Sequence, residues 1–199
     1  MAPAGGEGPM PFYGPPLDYS FKELTDVRDV PKEPPQQGSV KGKGEGRPTE
    51  ADRHGATHLN AVAVRLNNNS ISTLEGLDEV LEQILDDPTQ LRWLDLSWNQ
   101  LTAIEPVLFK YPNISVLYLH GNHIDRLAEI KKLVELKNLR KLTLHSNPID
   151  QDPYYRIHVL QSCKLLRSLD VSGVTQRNRE YAEKVKVRTR RPASRTTLL

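Results

Sequence analysis

The chain has 199 residues, 37% of them apolar and 26% charged, with a formal net charge of +2. That apolar fraction is low for a chain packed along its whole length, so one folded domain with unfolded extensions is expected. The single cysteine, Cys163, excludes an internal disulfide and any Cys/His zinc module, and it fits a reducing, cytoplasmic setting.

Residues 1–57 hold 9 of the 15 prolines and 9 of the 12 glycines. Such a composition does not sustain helices or strands, so this stretch reads as a Pro/Gly-rich N-terminal extension. Residues 1–11 have neither a basic n-region nor an apolar h-region, so no signal peptide is expected. No apolar run approaches the roughly 20 residues of a membrane-spanning helix, and no membrane partner is expected. One island stands out, Pro15-Pro16-Leu17-Asp18-Tyr19-Ser20-Phe21. Its mix of prolines, aromatics and a leucine suits a short docking segment, with Leu17, Tyr19 and Phe21 as the contacts. A linker with chance aromatics is the alternative reading.

From residue 58 a repeat begins. Ala61, Val64, Leu66, Asn69, Ile71 and Leu74 form its first unit. Leu91, Leu94, Leu96, Asn99, Leu101 and Ile104 form the second. The third is Ile114, Leu117, Leu119, Asn122, Ile124 and Leu127; the fourth is Leu139, Leu142, Leu144, Asn147, Ile149 and Asp152. Each follows L-x-x-L-x-L-x-x-N-x-L, the leucine-rich repeat. A fifth start at Leu166, Leu169 and Val171 lacks the asparagine, which Val174 replaces. Alternating apolar positions predict a short strand per unit, paired in parallel with its neighbours. The asparagine amide is expected to satisfy backbone groups where the chain turns away. The expected fold is therefore α/β: a short, curved solenoid of about five repeats, with a parallel concave sheet and a helical or irregular convex side.

Two linkers read as helices. Leu77, Val80, Leu81, Ile84 and Leu85 make one apolar stripe, ended by Pro88. Asp152-Pro153 reads as an N-cap with proline at the first helical position, opening a helix that carries Tyr155, Val159, Leu160 and Cys163. Cys163 is read as a buried apolar residue. The stretch from Asn147-Pro148 to Leu169-Asp170 is similar to the C-terminal cap of intracellular leucine-rich-repeat proteins, although Val171-Ser172-Gly173 stands where that cap has glycine directly after the aspartate. The repeat domain with its cap is placed at 58–176. No standard N-terminal cap is evident, and residues 15–30 are a candidate cover for the first strand edge.

Residues between the leucines project onto the concave face, where solenoids usually bind. The candidate contacts are Arg65, Asn67, Trp93, Asp95, Trp98, Tyr118, His120, Lys141, Thr143 and His145. Trp93, Trp98 and Tyr118 are expected to cluster, since aromatics beside Arg, Asp and Lys are the usual content of interface hot spots. His120 and His145 share a column, but no carboxylate or cysteine joins them, so no metal is expected. No nucleophile, base and orienting group fall together. The chain is read as non-enzymatic, with no cofactor and no small-molecule substrate.

Residues 177–199 hold 8 Lys/Arg against 2 Asp/Glu, which makes them a basic C-terminal tail that includes Lys184, Lys186, Arg188, Arg190 and Arg191. Its start, from Thr175 onward, reads as an extension in helix through Tyr181 and Val185, and the tail suits an acidic partner, tubulin or nucleic acid among them, or is simply solubilising.

The island together with Leu66-Asn67-Asn68-Asn69, Trp93-Leu94-Asp95-Leu96-Ser97-Trp98-Asn99, Ser115-Val116-Leu117-Tyr118-Leu119-His120-Gly121-Asn122, Leu142-Thr143-Leu144-His145-Ser146-Asn147-Pro148 and Ser172-Gly173-Val174-Thr175 resembles the leucine-rich repeat-containing protein 51 family. The resemblance covers residues 15–21 and about 60–180. It implies a non-catalytic adaptor linked to motile cilia, placed in the axoneme with doublet, spoke or dynein-associated proteins and tubulin as partners. The chain is also similar to the leucine-rich-repeat light chain of outer-arm dynein, which implies a motor regulator. A more distant similarity, to the leucine-rich-repeat subunit of a spliceosomal ribonucleoprotein, implies a nuclear adaptor. Nucleic acid is not the expected direct partner.

Overall fold

The computed structural model describes residues 16–36 and 61–185. Among them seven strands form one sheet in chain order. They are β1 (Leu17–Asp18), β2 (Ala63–Arg65), β3 (Trp93–Asp95), β4 (Val116–Tyr118), β5 (Lys141–Thr143), β6 (Ser168–Leu169) and β7 (Ser172–Gly173). Strands β1 to β6 pair in parallel, with Val64, Leu94, Leu117, Leu142 and Leu169 in one register column. Those five side chains are fully buried, because one face of every strand turns into the core. The fold is the leucine-rich-repeat solenoid expected from the periodicity.

The asparagines form a ladder. Asn122 donates to the carbonyls of Leu96 (3.0 Å) and Leu119 (2.9 Å), and its Oδ1 accepts from Leu101 N (3.0 Å). Asn99 and Asn147 repeat this pattern one unit away on either side. Each side chain thus binds its own turn to the preceding repeat. On the convex side two glutamates do similar work. Glu105 accepts from Leu74 N, and buried Glu129 accepts from Ile104 N, both at 2.8 Å.

The reading of the island is corrected by the structure over residues 16–21, Pro15 lying outside the described residues. The island is not a free docking segment but the strand of a repeat ahead of the first predicted one. Leu17 pairs with Val64 in the leucine column. Leu17, Tyr19, Leu24 and Val27 are buried at the positions of Val64, Leu66, Ile71 and Leu74. Asparagine is missing at the equivalent Lys22, and Asn69 of the next unit compensates, accepting from both Lys22 N (2.9 Å) and Leu24 N (3.1 Å). A 3-10 helix, Val27–Lys32, then packs against α1 (Leu77–Ile84). Gln36 returns along the outer edge of β1, its N–H donating to Asp18 O (2.7 Å) and its side chain to Ser20 O (2.6 Å). Chain from the extension therefore closes the open edge of the sheet, and the folded unit reaches into 1–57. Phe21 alone of the three island residues is exposed.

Leu77, Val80, Leu81 and Ile84 of α1 are buried, as their spacing predicts. The helix ends at Ile84, ahead of Pro88, which instead opens a 3-10 turn capped by Asp87. A short helix, α2 (Leu127–Lys132), backs the third repeat.

At the far end, α3 (Tyr155–Ser162) begins two residues later than the Asp152-Pro153 signal suggests. Asp152 accepts from Tyr154 N (2.7 Å) in the turn before the helix rather than capping it. Cys163 is buried just after α3, and burial pushes its thiol up to about 12, which makes it inert. The cap turn differs as expected from its missing glycine. Asp170 itself adopts the left-handed conformation (φ 55°), which aspartate tolerates, and β7 folds back antiparallel on β6. The Asp170 carboxylate accepts from Leu144 N, His145 N and the Tyr155 hydroxyl, taking the place of the strand carbonyl that accepts from the equivalent Leu96 N and Leu119 N in earlier repeats.

Residues 177–185, assigned to the tail, belong to the fold. Helix α4 (Gln176–Lys184) opens with a Thr175–Asn178 capping box, buries Ala182, and receives bonds from Gln161 at the carbonyls of Ala182 and Val185. Lys184 is exposed on it. Lys186, Arg188, Arg190 and Arg191 lie outside the described residues.

Candidate protein-binding face

The concave surface is built by the strand residues that alternate with the leucines. Trp93 and Tyr118 stand on adjacent strands with ring centroids 6.0 Å apart, edge to face. Lys141 on the next strand sets its ammonium 5.2 Å from the Tyr118 centroid, on one face of the ring. Tyr118 also meets His120 edge-on at 6.1 Å, and His120 stacks on His145 at 4.6 Å. The face therefore carries one continuous ring system crossing β3 to β5 and the turn beyond.

Trp98 joins it only through His120, 6.1 Å away, and lies at the rim. Its backbone is left-handed (φ 53°), at the position that Asn68, Gly121 and Ser146 occupy in neighbouring units. A bulky residue there is uncommon. Its indole lies over Gly121, where a Cβ would come within 2.6 Å of the ring, so only glycine leaves room for it. Half of Trp98 remains in solvent.

Several predicted contacts turn inward instead. Asp95 is buried, accepting from Ser97 N (3.0 Å) and Ser97 Oγ (2.6 Å). Thr143 is buried and shares a 2.7 Å hydrogen bond with His120 Nδ1. Asn67 is buried as well. Arg65 is paired with Asp18 at 3.0 Å, which ties β2 to β1. Asp95, Thr143 and Asn67 shape the face from within, Arg65 keeps 36% of its side chain in solvent, and the other candidates that remain at the surface are Trp93, Trp98, Tyr118, His120, Lys141 and His145. Phe21, which sequence reasoning placed on a separate island, sits at the same left-handed position as Trp98, two strands away, and joins the rim.

Stacked imidazoles point their in-plane lone pairs alongside one another rather than at one ion. Among the described residues no group of three His, Cys, Asp or Glu is arranged to hold a metal, and no helix is long and apolar enough to cross a membrane.

Burial, then the neighbouring His145, holds the His120 pKa below its ordinary 6.5, against a weaker pull from Asp95 and Asp170. His158, buried in α3, is lowered mainly by burial. Both favour the neutral ring in the fold. As pH falls below 6.5 the unfolded chain takes up these protons first, so stability is full above that value and lost through the window beneath it. Urea midpoints measured from about pH 7.5 to about pH 5.5 should fall, and His120→Gln should flatten part of the fall. A midpoint rising with acidification would contradict the assignment.

Stacked parallel strands, an asparagine ladder and an open aromatic face define a leucine-rich-repeat protein of the kind that binds other proteins. A leucine-rich-repeat family model matches residues 49–196. Leucine-rich repeat-containing protein 51 of Rattus norvegicus is 43% identical over 169 residues, covering 85% of this chain and 83% of its own. The Homo sapiens protein of that name is 42% identical over the same shares. Among solved structures, the Drosophila melanogaster SNF/U2A' complex matches with a TM-score of 0.52 at 26% identity, covering 60% of this chain and 65% of that one. The chain belongs to the leucine-rich repeat-containing protein 51 family.

Proposed function

We propose that this protein is a non-catalytic adaptor that holds a partner on its concave face within a ciliary axoneme, in a doublet-microtubule, spoke or dynein-associated complex. The carrying observation is the Trp93–Tyr118–Lys141 cluster. None of these side chains occupies a leucine position of the repeat, so the core does not require them. Rigid aromatics beside a cation concentrate binding energy at interfaces. Support for the axoneme comes from family membership and from the ciliary link that the resemblance implies.

Two experiments test the reading. Trp93→Ala with Tyr118→Ala should keep the circular dichroism spectrum and weaken capture of native partners about 30-fold, the scale of a lost hot spot of about 2 kcal/mol. A folded variant with unchanged partners would remove the concave face from the account. Proximity labelling and salt extraction of the tagged protein in ciliated cells should recover it in salt-resistant axonemes beside doublet, spoke or dynein-docking proteins. The similarity to the SNF/U2A' structure favours a second reading, a nuclear adaptor. Recovery in nuclear particles would support that reading and sink the axonemal one.

A further inference from the structure

The charges of the concave face are unevenly spent. Its carboxylates are engaged within the fold. Asp18 holds Arg65 and Ser20, Asp95 holds Ser97, and Asp170 holds two backbone N–H groups and Tyr155. Toward the C-terminal half Arg140, Lys141 and Arg167 form no ion pair among the described residues, and Arg140 makes one weak bond, from Nη1 to Leu165 O (3.5 Å). They lie close together: Arg140 directly precedes β5, Lys141 is its first residue, and Arg167 N donates to Arg140 O from the neighbouring repeat. Lys141 and Arg167 are exposed, and Arg140 is half-buried. Beside this cationic corner lies the Trp93–Tyr118 pair, with Trp93 in the register row Trp93, Val116, Lys141, Ser168 and Tyr118 in the row of Asp95 and Thr143.

We infer that this face takes an extended acidic peptide segment of a partner protein, its carboxylates over Arg140, Lys141 and Arg167 and an apolar side chain on Trp93 and Tyr118. The inference rests on the adaptor reading above and names the chemistry of the partner. The row from Trp93 to Ser168 crosses three strand spacings, about 14 Å, the length of about four extended residues. A segment of that size reaches both the aromatic pair and the cations.

A single-stranded nucleic acid is also anionic, and the geometry disfavours it. Bases bind by stacking on free ring faces. Trp93 and Tyr118 meet edge to face, and Lys141 occupies a face of Tyr118. Arg65 Nε, Trp93 Nε1 and Asn67 Oδ1 are buried polar atoms without partners at the same end of the face. A peptide backbone supplies both acceptors and donors for such atoms.

The test is fluorescence anisotropy with the full chain and three labelled probes: a glutamate-rich peptide containing one phenylalanine, its lysine-for-glutamate counterpart, and oligouridine. The acidic peptide should bind, about tenfold more weakly at about 300 mM than at about 50 mM salt, and the basic peptide should not. Lys141→Glu with Arg167→Glu should weaken binding at least about tenfold, because both substitutions lie on the surface and leave the fold intact. A full-length variant with Lys186, Arg188, Arg190 and Arg191 changed to glutamine should bind nearly as well as the parent. Loss in that variant with no effect of Lys141→Glu and Arg167→Glu would assign the acidic ligand to the tail and overturn the inference. Preference for oligouridine, or no binding of the acidic peptide, would overturn it as well. The adaptor reading fails separately, through retention of native partners by the Trp93→Ala and Tyr118→Ala variant.

Discussion

Asn122→Ala should lower the unfolding free energy by about 2 kcal/mol, because the buried Leu101 N–H is left without a partner, at about 1–3 kcal/mol, whereas Leu96 O and Leu119 O keep the amides of Asn99 and Asn147. The side chain is 3% exposed, and water cannot replace it without opening the turn. Its bonds cross from the third repeat to Leu96 and Leu101 of the second, so the substitution loosens an interface as well as a turn. In a domain of this size the melting temperature should fall by about 6 °C. Asn113→Ala is the matched control, since that exposed amide makes one bond, to Thr89 O at 2.9 Å, and should cost less than about 1 kcal/mol. Asn69→Ala should fall between them, because Asn69 is only partly buried. Urea denaturation of the three variants checks the order. An Asn122→Ala loss below about 1 kcal/mol would mean that the ladder is decorative.

That ladder is also why the repeats are readable without a structure. Only a side chain that donates and accepts at once can serve the turn, so asparagine recurs in a fixed apolar frame, and Asn69, Asn99, Asn122 and Asn147 mark the units. The leading repeat is harder to see, because Lys22 replaces the asparagine and Tyr19 replaces a leucine. Its backbone is served from outside, by Asn69. A signal was nevertheless present. Leu17-Asp18-Tyr19-Ser20-Phe21 matches Leu94-Asp95-Leu96-Ser97-Trp98 position by position, and both aspartates accept from the serine two residues on.

The candidate face was legible by column but not by depth. Repeat spacing puts Asp95, Thr143 and Tyr118 in one column, yet only Tyr118 is long enough to rise from the sheet. Asp95 instead bends onto Ser97 in the turn that follows, Thr143 bonds His120 of the preceding repeat, and both are buried. Trp93 and Trp98 differ for a backbone reason. The first points up from a strand, and the second sits at a left-handed turn position and lies sideways over Gly121. No periodicity encodes that rotation. The glycine one repeat on is the local clue.

Leu17→Ala and Phe21→Ala should have opposite outcomes from what a free docking segment would give. Leu17 is fully buried in the leucine column of the sheet, so its truncation should cost about 3 kcal/mol. Beyond the cavity, weakening β1 uncovers the backbone groups of β2, which Tyr19 N and Phe21 N otherwise address at the carbonyls of Arg65 and Asn67. Leu17→Ala should therefore also speed proteolysis within 16–36 and promote aggregation. Phe21 is 67% exposed, and its truncation should change stability by less than about 0.5 kcal/mol. Its effect should appear in partner capture, since it shares the rim with Trp98. Chemical denaturation with limited proteolysis decides the matter. If Leu17→Ala leaves the urea midpoint untouched while abolishing partner capture, the island is a docking segment after all and the sheet begins at β2. If the midpoint drops and Phe21→Ala does not follow it, the extension is the first repeat of the solenoid. The acidic-peptide face then rests on a scaffold closed at both ends, by Gln36 over β1 and by β7 over β6.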